Sequence, residues 1–131
     1  MFTAQLRFQK MSEVSFGDPP RFSFGEISPG REASARVTHD GYLYAVDVAE
    51  AMGGKDRDGA AKDLRNLDPD VYPKEYIVER KMPGSGNSRV KQVSFKNAIL
   101  LIMVLPGKTA KEIRVRFKFA DVIRAHLANG P

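Results

Sequence analysis

Apolar residues crowd most densely at Ala98-Ile99-Leu100-Leu101-Ile102-Met103-Val104-Leu105, an eight-residue run that reads as a buried helix. Pro106-Gly107 ends it, because proline lacks a backbone donor and glycine admits positive φ. A second helix is predicted at once: Thr109 and Glu112 stand three apart, as the reciprocal partners of a capping box do. At about 100° per residue, Phe119, Ile123, Leu127, Ala120, Ile113 and Phe117, extended by Val122 and Val115, sweep over more than half of its circumference. Lys111, Arg114, Lys118 and Asp121 are left as a narrow polar strip. A helix so widely apolar is expected to be covered on most sides, by the 98–105 block, by a sheet, or by a second copy of the chain.

Upstream the pattern shortens. Residues 1–21 have no period and are broken by Gly17-Asp18-Pro19-Pro20, which predicts a flexible arm. Met11 is placed equally well to start the chain, with the first ten residues appended. Residues 21–27 alternate as a strand and 28–31 form a loop. Ala35–His39 and Tyr42–Val46 then flank Asp40-Gly41, the dipeptide suited to a type I′ hairpin turn. Asp47 is expected to cap a short helix through Met52, closed by Gly53-Gly54. Asp56 or Asp58 opens another through Leu67, with Ala60, Leu64 and Leu67 inward and Lys62, Asp63 and Arg65 towards solvent. After the Asp68-Pro69-Asp70 and Pro73 loop, residues 76–81 and 89–95 read as two strands joined by Met82-Pro83-Gly84-Ser85-Gly86-Asn87-Ser88. The expected fold is therefore α+β: a small antiparallel sheet and a β-hairpin wing packed with about four helices, one domain over residues 22–131.

Composition narrows the chemistry. At 131 residues and 42% hydrophobic, the chain is long enough for one domain with a core of its own. It has no cysteine, which excludes disulfides and thiolate metal sites and favours an intracellular location, nuclear in a eukaryote. With eight residues in its longest apolar run it offers neither a signal peptide nor a membrane span. The net charge is +5, and residues 54–131 carry 16 basic against 9 acidic side chains, where residues 1–53 carry 5 and 7. That excess suits a polyanion, and equally suits plain solubility.

Gly107-Lys108-Thr109 imitates the end of a phosphate-binding loop, but the glycine required five positions earlier is Ile102. Gly84-x-Gly86 precedes a strand, so it is not a dinucleotide fingerprint. His39 stands beside a turn with no second histidine or carboxylate cluster. With no histidine pair and no nucleophile beside a base, no enzyme and no cofactor is expected.

Two short helices joined by glycines resemble a helix-turn-helix, with Ala49 and Gly53 as the small first-helix residue and the turn glycine. The match is partial, since positions that should be apolar in the second helix fall on Gly59 and Lys62, and an ordinary αα-hairpin fits as well. Arg80, Lys81, Arg89 and Lys91 cluster on the strand arms as a basic wing, or as the charged edge that protects a sheet from aggregation.

The order of parts resembles the Bro-N domain of phage antirepressors and viral Bro proteins, related in style to KilA-N domains. Val37–Gly54, with its Val48-Ala49-x-Ala51-x-Gly53 helix end, carries the resemblance, together with Val93-Ser94-Phe95 before the apolar helix and the ending from Ala110-Lys111-Glu112 to Val122-Ile123-Arg124. It covers about residues 34–128. The tryptophan frequent in the family's last helix is Phe117 or Phe119 here, and the glycine common at the start of the apolar helix is Asn97 or Ala98. The resemblance implies an α+β fold and DNA binding.

The candidate DNA-contacting residues are Lys55, Arg57, Lys62, Arg65, Arg80, Lys81, Arg89, Lys91, Lys111, Arg114 and Lys118, with base reading assigned to the helix pair and phosphate contact to the rest. The competing class is a protein-interaction module docking through the last helix. A homodimer is expected there, with Val115, Phe119 and Val122 buried between copies, unless the strand around Phe22 and Phe24 covers them within one chain.

Overall fold

A computed structural model describes residues 20–53, 56–81, 89–106 and 110–129. Strands β1 (Arg21–Ser28) and β2 (Arg31–Arg36) form an antiparallel pair. β3 (Tyr42–Tyr44) runs directly into α1 (Ala45–Gly53), followed by α2 (Arg57–Arg65) and a 3₁₀ turn at Lys74–Tyr76. β4 (Ile77–Lys81), β5 (Arg89–Ser94), α3 (Phe95–Val104) and α4 (Ala110–Ala128) complete the α+β fold. The second sheet has the order β3-β5-β4, all antiparallel, and a single Val37–Leu43 bridge joins it to the first. Of the expected arm, Pro20 and Arg21 belong to the fold, since the Val37 N–H donates to the Pro20 carbonyl and Arg21 opens β1. The rest of the arm lies outside the described residues.

The core is built on the aromatic side chains of β1. Phe22 and Phe24 point to one face, as alternate residues of a strand must, and both are fully buried. Phe24 stacks flat on Phe119 of α4, with centroids 4.1 Å apart and planes 3° from parallel. Phe22 meets Phe95 edge to face at 4.9 Å. Around them pack Val48 and Met52 of α1, Leu64 of α2, Val93 of β5, and Leu101 and Ile102 of α3. Local signals set the helix starts: the Asp56 carboxylate accepts from the Gly59 N–H at 2.8 Å, and the Ser94 hydroxyl from the Asn97 N–H at 3.2 Å.

Three expectations are corrected. The hairpin around Asp40-Gly41 shrinks to the one bridge, because the apolar stripe Ala45, Val48, Ala49, Met52 claims residues from 45 onward for a helix and β3 takes β5 as its partner. Its turn is not type I′: Gly41 has φ +86°, and no non-glycine residue among those described has positive φ. Asp47 is no cap, since α1 begins two residues before it.

The third correction concerns α4. Phe119, Ala120 and Ile123 are buried within the chain, while Ile113, Phe117 and Leu127 are exposed. Covering by β1, the alternative to a second copy, accounts for Phe119; Val115 and Val122 are half-buried against the same core. Phe119→Ala is accordingly expected to cost about 3–5 kcal/mol in urea unfolding. Phe117→Ala, at a position 54% exposed, is expected to cost under about 0.5 kcal/mol.

His126 sits in the wedge between α4, β1 and α3, its ring 4.5 Å from Phe95 and 5.2 Å from Phe22. Burial holds its pKa below the ordinary histidine value. The unfolded chain thus takes up a proton at a higher pH than the folded one. The stability tied to neutral His126 is fully present above about pH 6.5 and is lost as pH falls below it. A pH series of denaturation midpoints is expected to decline on acidification through this window, and His126→Gln to flatten the decline.

Candidate nucleic-acid interface

The helix pair is pinned by one buried carboxylate. Asp47 is 4% exposed, and its Oδ2 accepts from the Arg36 backbone N–H at 2.9 Å and from Arg36 Nε at 2.7 Å. Its Oδ1 accepts from Arg36 Nη2 at 2.9 Å and from Arg57 Nη1 at 3.3 Å. Burial pushes the Asp47 carboxyl up, but the hydrogen bonds and charge of Arg36 override it and hold the group below the usual carboxylate range. The Arg36 guanidinium lies over the Tyr44 ring at 4.5 Å. Arg57, the first residue of α2, also donates to Glu50 at 3.1 Å. β2, α1 and the start of α2 are thereby tied at one point.

This arrangement separates the expected contacts on α2. Arg57 is engaged by α1, whereas Lys62 and Arg65 are exposed on the face away from Ala60 and Leu64, with no ion pair among the described residues. Asp58 shares their exposed face. Lys55 lies outside the described residues.

In the β4–β5 ladder, Ile77 pairs with Val93, Glu79 with Lys91, and Lys81 with Arg89. Paired residues share a face, so the face that buries Val93 continues outward as Lys91, Arg89 and Lys81, with Glu79 the one acid among them. Lys81 and Arg89 are exposed and Lys91 is half-buried. Arg89 also donates to the Glu79 carbonyl at 3.0 Å. The tip, residues 82–88, lies outside the described residues.

Arg80 points to the opposite face and is fully occupied. Its Nη1 and Nη2 donate to the two oxygens of Asp40 at 2.7 and 2.9 Å, its Nε donates to Gln92 at 2.8 Å, and its guanidinium covers the Tyr42 ring at 4.3 Å. It is therefore not presented with its neighbour Lys81. On α4, Arg114 is exposed, and Lys118 is exposed along its length while its Nζ donates to the Glu26 carbonyl. The side chain of Lys111 lies outside the described residues.

Sequence reasoning missed the supporting residues Asp40, Tyr42, Gln92, Arg36 and Arg116. Arg116 clamps the end of α3, donating to the Met103 carbonyl at 2.7 Å and the Leu105 carbonyl at 2.9 Å. A cation amid the apolar positions of α4 was its one signal. Among the described residues there is no cluster of three metal-ligating side chains, and no helix is long and apolar enough to cross a membrane.

Asp47→Ala leaves Arg36 and Arg57 without their shared acceptor. It is expected to destabilise the fold by about 2–4 kcal/mol in urea unfolding, below the full cost of stranding a buried charge because both arginines can turn towards water.

No protein-family model, curated protein or solved structure matches the chain.

Proposed function

We propose that the chain is a duplex-DNA-binding module of the Bro-N type, serving a transcription-regulating or antirepressor-like protein inside the cell. α2 supplies base-reading side chains from Lys62 and Arg65, and the wing arms supply phosphate contacts from Lys81, Arg89 and Lys91. The observation that carries this reading is the connection between the two parts. One three-stranded sheet feeds α1 without a loop at Tyr44–Ala45 and extends β4 and β5 as the basic arms, so both sets of cations stand on one rigid frame. The basic side chains divide accordingly. Arg36, Arg57, Arg80 and Arg116 are occupied by groups of the chain, while Lys62, Arg65, Lys81 and Lys91 have no ion pair among the described residues.

A second reading is a protein-interaction module, including a homodimer through α4. It is favoured by Ile113, Phe117 and Leu127, which are exposed and fall within a sector of about 80° on α4. A two-fold contact on that stripe would present two helix pairs to a two-fold DNA site.

A salt titration on mixed-sequence duplexes separates the two. DNA binding requires log affinity to fall linearly with log salt, by about 0.9 per neutralised phosphate. Replacing Lys81, Arg89 and Lys91 by alanine is expected to weaken binding to all duplexes alike and to lower that slope by about 2 to 3. Replacing Lys62 and Arg65 is expected to erode discrimination between preferred and random sites by about 1–3 kcal/mol for each side chain that reads a base edge. A parent protein with no salt-dependent binding would leave the interaction reading.

A further inference from the structure

Arg80 differs from every other cation of the wing in where its side chain goes. In the β3-β5-β4 order, Arg80 on β4 pairs with Val90, and Tyr42 on β3 pairs with Ser94, so the two stand four residues apart along the intervening strand. The arginine side chain crosses that gap diagonally. It contacts Gln92 on β5 on the way and ends against Tyr42 and Asp40 beyond β3. Gln92 is fully buried beneath it.

The receiving end is built from the turn between β2 and β3. The Thr38 hydroxyl donates to Asp40 and accepts from the Tyr42 N–H at 3.0 Å. The Gly41 N–H donates to the Thr38 carbonyl at 3.1 Å. Asp40 is thereby oriented so that both of its oxygens meet the two Nη atoms of Arg80, the paired geometry in which a guanidinium fixes direction as well as distance. A lysine at this position could supply the charge but neither the second bond nor the stacking.

We infer that Asp40 and Arg80 form a clamp that positions the wing, holding β4 in register and twist against β3 so that Lys81 and Arg89, on the opposite face, meet a duplex backbone together. The inference rests on the DNA-binding reading. Arg80 is a positioning residue, and Asp40, although acidic, promotes binding to a polyanion. That sign is opposite to the one bulk electrostatics assigns, since removing an exposed carboxylate from a basic protein ordinarily strengthens its hold on DNA.

The test is a double-mutant cycle on duplex affinity measured across a salt series, with the folded fraction of each variant checked by circular dichroism at the binding temperature. Asp40→Asn is expected to bind on the order of tenfold more weakly than the parent, with a salt slope lower by about 1 to 2 as the wing cations come away from phosphates. Arg80→Lys, which keeps the charge, is expected to lose affinity by a similar factor. In a background where Lys81, Arg89 and Lys91 are alanine, Asp40→Asn is expected to change nothing further, because the side chains it positions are already gone. Tighter binding by Asp40→Asn, or the same loss in the wing-less background as in the parent, overturns the clamp while leaving DNA binding intact. A parent with no salt-dependent affinity overturns the DNA-binding reading and the clamp with it.

Discussion

A carboxylate taken out of water is tolerated only when charged donors replace the solvent, and the packing of this chain depends on how Asp47 meets that requirement. Three of its contacts come from Arg36, at the end of the strand pair, and a fourth from Arg57, at the start of α2. The acid itself lies in the first turn of α1, where the free amides of the helix also favour negative charge. Arg57 pairs with both Asp47 and Glu50 of α1, which ties the residue where α2 begins to the helix before it.

Much of the fold is legible in local pattern. Asp56 behaves as a cap, Ala60 and Leu64 turn inward, and the strands at 77–81 and 89–94 fall within a residue or so of their predicted limits. What local pattern does not carry is the choice of partner. Tyr42–Val46 reads as half a hairpin because its β-branched and aromatic residues suit a strand, but whether its partner is β2 or β5 is decided by the burial of Leu43 against Val93, fifty residues away. The apolar residues of α4 likewise sweep too wide an arc to show which part faces inward. Phe24 decides that by stacking on Phe119, which leaves Phe117 to solvent.

The candidate site is less legible, for the same reason. Arg80 and Lys81 are adjacent cations in the sequence, yet a strand sends them to opposite faces, one to the Asp40 carboxylate of the same chain and the other outward. Arg57 looks like a surface cation until Asp47 and Glu50 are brought beneath it. Charge counted along the chain measures how many cations exist, and the tertiary ion pairs determine how many remain for a partner.

The division of cations into those held by the fold and those turned outward is best tested by nuclear magnetic resonance during titration with a short duplex. Backbone amides around Lys62, Arg65, Lys81, Arg89 and Lys91 are expected to shift with a common affinity, while the side-chain Nε–H signals of Arg36 and Arg80 keep their positions. Shifts confined to the exposed stripe of Ile113, Phe117 and Leu127, or movement of the Arg80 Nε–H onto the DNA, would contradict it.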